Sequence, residues 1–145
     1  MAELKELIEK YQGKLEDEEL SWEEMPEAID LLIKFANQNE EFEFEFEMDT
    51  ITWQFEITDK PEEQWMWVSV DEGKFDGGQG KAPKEVDLTF KCDAELAANM
   101  VAGAVDSNAA YMKGDLKLDG PIPKGVKFQT VLALFKDELE FWEEE

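Results

Sequence analysis

Histidine and arginine are both absent from this 145-residue chain, and cysteine occurs once, at Cys92. The missing histidine removes the commonest general acid–base group and rules out triads of the Ser/His/Asp or Cys/His type. Fourteen basic residues, all lysine, stand against 37 acidic ones, for a formal net charge of −23. That balance argues against nucleic acid, whose phosphates need clustered cations to release counterions. It also opposes stable insertion into, or docking on, anionic membranes. A lone cysteine cannot close an internal disulfide, so nothing asks for an oxidising compartment. Long apolar runs are missing as well. The uncharged stretch from Leu96 to Val105 falls far short of the roughly 20 residues that span a bilayer. Met1 to Lys10 is interrupted by Glu3, Lys5, Glu6 and Glu9, where a signal peptide would be continuously apolar. The expectation is a cytoplasmic protein.

Other familiar chemistries fail in detail. Ser21, Ser69 and Ser107 lie outside a Gly-x-Ser-x-Gly context, and Cys92 has no evident base. Gly77-Gly78-Gln79-Gly80-Lys81 has the look of a phosphate loop, but Phe75 stands where the first glycine is required and Ala82 where Ser or Thr is required. Asp71, Gly73 and Asp76 miss the calcium-loop spacing, and transition-metal sites built on His or several Cys cannot form. No catalytic residue, cofactor or metal site is expected.

What the chain does contain is a foldable pattern. Its composition, 43% hydrophobic and 12% aromatic, is too apolar for a disordered tail despite the charge, and its length suits one domain. Leu4, Leu7, Ile8 and Tyr11 recur at helical spacing, as do Met25, Ile29, Leu32, Ile33 and Ala36, the second set preceded by a Ser21/Glu24 capping-box pattern and Pro26. Glu16 to Glu19 reads as a loop. Phe42, Phe44, Phe46 and Met48 alternate with Glu43, Glu45 and Glu47, which taken alone predicts a half-buried strand and leaves an edge able to pair with a partner. Ile51 to Ile57 and Trp65 to Val70 read as the next strands, Asp76 to Pro83 as a glycine-rich loop, and Val86 to Phe90 as a further antiparallel strand. Asp93 caps a helix from Ala94 to Gly103, and Ser107 is the expected cap of a short helix ended by Gly114. Asp115 to Asp119 alternates as a last strand. Phe128, Val131, Leu132, Phe135, Leu139 and Trp142 form one wide stripe of a closing helix, before an acidic end at Glu143 to Glu145. Helices at both ends of a run of strands imply an α+β layer fold.

From Asp87 onward the sequence resembles the sterol carrier protein type two family. The resemblance rests on Asp87-Leu88-Thr89-Phe90, on the helical Ala94 to Gly103, and above all on Asn108-Ala109-Ala110-Tyr111-Met112-Lys113-Gly114-Asp115-Leu116-Lys117-Leu118-Asp119-Gly120. That run resembles the family's pattern of a small or aromatic pair, Met or Phe, any residue, Gly, and a Leu-x-Leu/Val strand closed by Gly. Ile51 to Asp59 with Trp65 to Gly73 is similar to its first hairpin, and Phe128 to Phe135 to its closing helix. The resemblance implies a five-stranded, mostly antiparallel sheet covered by helices and enclosing an apolar tunnel. The whole chain would be one such domain, with N-terminal helices in 1–40 and the core in 41–145. It implies that Leu96, Met100, Val101, Val105, Tyr111, Met112, Phe128, Val131, Leu132 and Phe135 line or gate that tunnel. In the family the counterpart of Glu41 to Met48 is helix or connector, against the strand that the alternation suggests, so both readings stand. Pro121 and Pro123 make the turn before the last helix stiffer than usual in the family. The function implied is non-catalytic carriage of a sterol, fatty acid or fatty acyl ester; a protein-interaction module or homodimer is the alternative.

Overall fold

In the computed structural model, which describes residues 4–142, the two opening helices form as α1 (Leu4–Glu16) and α2 (Met25–Asn37). A 3₁₀ turn at Trp22–Glu24 leads into α2, where the Glu24 carboxylate accepts the Ser21 backbone N–H at 3.0 Å. Leu7, Ile8, Tyr11 and Leu15 of α1 and Ile29, Leu32, Phe35 and Ala36 of α2 are buried, so the periodic apolar stripes do face inward. The acidic end Glu143 to Glu145 lies outside the described residues.

The Phe/Glu alternation forms a helix, α3 (Glu40–Phe46), and not a strand. Alternation by two also places residues four apart, and Phe42 and Phe46 use that spacing to bury on one helix face while Phe44 is left 74% exposed. The deciding local signal is Asn39, whose Oδ1 accepts the N–H groups of Glu41 and Phe42 at 2.9 and 3.2 Å. Glu40, Glu41 and Glu43 then sit in the first turn, where the helix dipole favours negative charge. The strand edge expected at Phe42 to Phe46 therefore does not exist.

Five strands make one sheet: β1 (Thr50–Ile57), β2 (Met66–Asp71), β3 (Lys74–Gln79), β4 (Leu88–Cys92) and β5 (Lys117–Asp119), in the order β3-β2-β1-β4-β5. Strands β1, β2 and β3 form an antiparallel meander, and β5 is antiparallel to β4. Strand β4, however, runs parallel to β1, with Phe55 opposite Phe90. The sheet is thus mixed, and the antiparallel arrangement expected for the strand read at Val86 to Phe90 is corrected at the sheet's centre. The parallel pairing arises because residues 80–87 carry the chain back past β1 to its far side. Asp87 fixes that return, with its N–H donating to the Thr52 carbonyl at 2.9 Å and its Oδ2 accepting the Thr52 N–H at 2.8 Å.

Strand β3 occupies much of the stretch expected to be a glycine-rich loop. Its glycines serve close packing. A Cβ on Gly77 would stand 2.8 Å from the Trp67 carbonyl oxygen and 3.2 Å from Ile33 of α2, and one on Gly78 would stand 3.2 Å from the Trp67 indole nitrogen. On the outer edge of β3 the backbone of Phe75 is paired by Asn37, whose side chain donates to the Phe75 carbonyl and accepts the Phe75 N–H.

Helices α4 (Ala94–Ala102), α5 (Ser107–Lys113) and α6 (Ile122–Glu140) complete the fold. Two aromatic clusters tie the layers. Phe35 meets Phe42 and Phe135, and Phe75 meets Phe42 and Phe46, which joins α2, α3, β3 and α6. Trp53, Phe55, Phe90 and Phe128 join β1, β4 and α6, with Phe55 and Phe90 stacked at 4.9 Å. A single hydrophobic cluster extends from Leu7 to Leu139, so the N-terminal helices share the core of the sheet.

Candidate functional site

The second aromatic cluster lies beneath the place where α4, α5 and α6 converge. Asp93 starts α4 by accepting the Leu96 N–H at 2.8 Å, and Gly103, at φ +84°, ends it in the left-handed region. The cap of α5 is Asp106, which accepts the Asn108 N–H at 2.9 Å; Ser107, the cap expected from sequence, is instead the first helical residue. Gly114, at φ +86°, ends α5. Helix α6 begins at Ile122, earlier than the sequence stripe suggests, because Pro121 and Pro123 start a helix here, as proline can in a first turn. Gly125 lets α6 settle against the sheet: a Cβ there would lie 3.2 Å from Leu88 and 3.5 Å from Leu118. The Trp53 indole N–H fastens the same turn by donating to the Lys124 carbonyl at 2.8 Å.

Three spaces share lining residues at this junction. A small internal cavity of about 20 Å³ is lined by Phe55, Phe90, Met100, Val101, Ser107, Gly125, Phe128, Gln129 and Leu132. Toward α5 it adjoins a second space of about 40 Å³, which reaches Tyr111, Leu116, Leu118, Ile122 and Val126. Toward α4 it adjoins an open groove of about 250 Å³, which reaches Gly103, Val105, Asp106 and Lys136. Ser107 and Gln129 border all three spaces. Ser107 Oγ donates to Gln129 Oε1 at 2.6 Å, and Gln129 Nε2 donates to Asp106 Oδ1 at 3.2 Å, so α5 is latched to α6 across the junction.

The residues that the resemblance singled out are only partly gathered here. Met100, Val101, Phe128 and Leu132 line the internal cavity, Val105 the groove, and Tyr111 the space beside α5. Leu96 borders none of the three spaces, and Met112, on α5, is 86% exposed. Val131 and Phe135 are buried in the core away from the junction, Phe135 in edge-to-face contact with Phe35 at 5.7 Å. The sequence reading missed Phe55, Phe90, Gly125 and the polar pair Ser107 and Gln129. The aromatics were legible as inward strand positions. The polar pair was not, because its partners are 22 residues apart on different helices.

The buried thiol and the most strongly shifted phenol both lie away from the junction. Cys92 is buried, and burial, reinforced by Asp93 and Asp59, pushes its thiol up to about 12, which keeps it protonated. Tyr11 is raised above its ordinary value, first by burial and then by its hydrogen bond to Glu27, but it lies at the α1–α2 contact. Among the described residues, no group of three or more His, Cys, Asp or Glu is placed to hold a metal ion, and no helix is long and apolar enough to cross a membrane.

Residues 47–133 match the model of the SCP-2 sterol transfer family. Among solved structures, sterol carrier protein 2 from Yarrowia lipolytica in its apo form is similar at TM-score 0.54 and 17% identity, over 74% of this chain and 86% of that one. A structure described as UbiJ-SCP2, a ubiquinone synthesis protein, is similar at TM-score 0.56 and 16% identity, over 72% and 89%. A double mutant of the sec-alkyl sulfatase PisA1 is similar at TM-score 0.58 and 20% identity, over 71% of this chain but only 15% of the sulfatase. At these identities the likeness is one of fold. No curated protein sequence matches the chain.

Proposed function

The chain belongs to the SCP-2 sterol transfer family, and from that premise we propose that it is a non-catalytic binder of an apolar, lipid-like ligand at the junction of α4, α5 and α6. The observation that carries this reading is that three spaces share Ser107 and Gln129 in their linings, with Met100, Val101, Phe128 and Leu132 lining the internal one. Burial of alkyl surface would drive binding, at about 0.8 kcal/mol per methylene, and Met100 suits varied alkyl shapes.

The internal cavity of about 20 Å³ is far smaller than the roughly 300–1,000 Å³ of a small-molecule site. Binding therefore requires the junction to widen. Helix α5 is the element suited to move. Ala110 is its one buried side chain, αL glycines end both α4 and α5, and its link to α6 includes the Ser107–Gln129 hydrogen bond. Little apolar burial opposes its displacement.

The test is titration of the purified chain with an intrinsically fluorescent sterol and with a neutral pyrenyl alkane, alongside Leu132→Trp, which fills the space between α4 and α6. Saturable binding by the native chain, weakened by the tryptophan, is expected. Absence of binding to both probes would overturn the reading.

A further inference from the structure

Within the binding reading just given, on which this inference rests, we propose that the site selects lipids with an uncharged hydrogen-bonding head group and rejects anionic ones, with the Ser107 and Gln129 side chains as the selecting groups. The lining of the internal cavity is otherwise apolar, and its polar side chains are one hydroxyl, of Ser107, and one carboxamide, of Gln129. A hydroxyl and an amide can each donate and accept. When a ligand parts Ser107 Oγ from Gln129 Oε1, both groups need new partners, and an alcohol or an ester carbonyl supplies them at no cost in charge.

A carboxylate or phosphate would meet a different reception. No lysine lines the internal cavity or the space beside α5. The groove toward α4 holds Lys136, but its ammonium is 3.3 Å from the Glu18 carboxylate, and the same groove carries Asp106, whose Oδ1 already accepts from Gln129. An anionic head group in the internal cavity would therefore be desolvated with no cation in the lining to pair it, the arrangement that burial penalises most, and in the groove it would meet Asp106 and a lysine already paired with Glu18. The formal charge of −23 adds a long-range repulsion.

The experiment is competition against the fluorescent sterol by hexadecanol, methyl palmitate and palmitate, below their aggregation limits and near neutral pH. Measurements are made at low salt and at about 1 M salt, where screening falls to about 3 Å. The alcohol and the ester are expected to bind at least about tenfold tighter than the acid, and the margin should persist at high salt, because a desolvated carboxylate is not rescued by screening. Gln129→Lys should narrow or reverse the margin. Gln129→Leu should shift the preference for hexadecanol over a pyrenyl alkane by about tenfold toward the alkane, the worth of one hydrogen bond; Ser107→Ala gives the same comparison with a smaller change in shape. Palmitate binding as tightly as hexadecanol, or a margin that vanishes in high salt, overturns this inference and leaves the binding reading standing. Failure of sterol, alcohol and ester alike overturns both.

Discussion

The Lys124 ammonium donates to the Asp87 carboxylate at 3.0 Å, tying the first turn of α6 to the entry of β4. The second carboxylate oxygen is held by the Thr52 N–H, so one aspartate joins β1, the entry of β4 and the first turn of α6. Burial pushes the Asp87 carboxyl up, but the Thr52 N–H and Lys124 outweigh it and hold the group below the ordinary aspartate range.

A depressed carboxyl contributes stability that is fully present above its unfolded value, about 3.9, and is lost as pH falls through the lower folded value. Asp87→Asn should lower stability at neutral pH by about 1 kcal/mol, a modest cost because the ion pair is about one-third exposed. Urea midpoints measured against pH should differ by a constant amount at neutral pH and converge as the solution is acidified below about pH 4. A difference that stays constant into strong acid would remove the aspartate from this role.

Gly77 offers a steric counterpart. Its missing Cβ would touch the Trp67 carbonyl oxygen at 2.8 Å, a backbone atom that cannot move without parting β2 from β3. Gly77→Val should destabilise by about 1–3 kcal/mol, the usual range for overpacking, whereas Gly80→Asn should cost less, since nothing lies within 4 Å and asparagine tolerates positive φ. Thermal melts of the two variants check the order.

These positions also explain what could be read from sequence. Asp93, Gly103 and Gly114 mark helix ends with local chemistry, and the stripe from Phe128 to Leu139 is long enough to fix its own period, so α4, α5 and α6 were legible. Phe42 to Phe46 was ambiguous because alternation by two also contains the four-residue spacing, and the tie was broken by Asn39, three residues upstream. Gly77 and Gly78 suggested a loop, since a glycine that makes room for a neighbour looks the same in sequence as one that turns the chain. The parallel β1–β4 pairing and the Ser107–Gln129 contact depend on tertiary placement and leave no periodic trace.

Cys92 should behave as a core side chain. With its thiol raised to about 12 by burial, and by Asp93 and Asp59 nearby, it is expected to resist an aromatic disulfide reagent in the folded chain and to react fully once urea unfolds it. Reaction of the native protein at the rate of a free thiol would contradict this. Cys92→Ala should cost about 1–2 kcal/mol through lost packing and leave lipid binding unchanged, because Cys92 lines none of the three spaces.

Two buried phenylalanines on α6, Phe128 and Phe135, have different surroundings. Phe128 contacts Trp53, Phe55 and Phe90 with ring centroids 4.9 to 5.6 Å apart and forms a wall of the internal cavity. Phe135, equally buried, packs against Phe35 and lines none of the three spaces. Truncating either to alanine removes the same group from an interior position, and each should cost about 3–5 kcal/mol. Only Phe128→Ala enlarges the cavity that the ligand must enter, so part of the work of widening it is done in advance. In Phe128→Ala the fluorescent sterol should bind more tightly and enter faster than in the native chain, and benzene should stabilise the fold, as it does other dry apolar cavities. Phe135→Ala should lose comparable stability without the gain in sterol binding. Sterol titration and stopped-flow uptake on the two variants, at a temperature where both remain folded, distinguish a ligand site bounded by Phe128 from general loosening of the core, which would alter both variants alike.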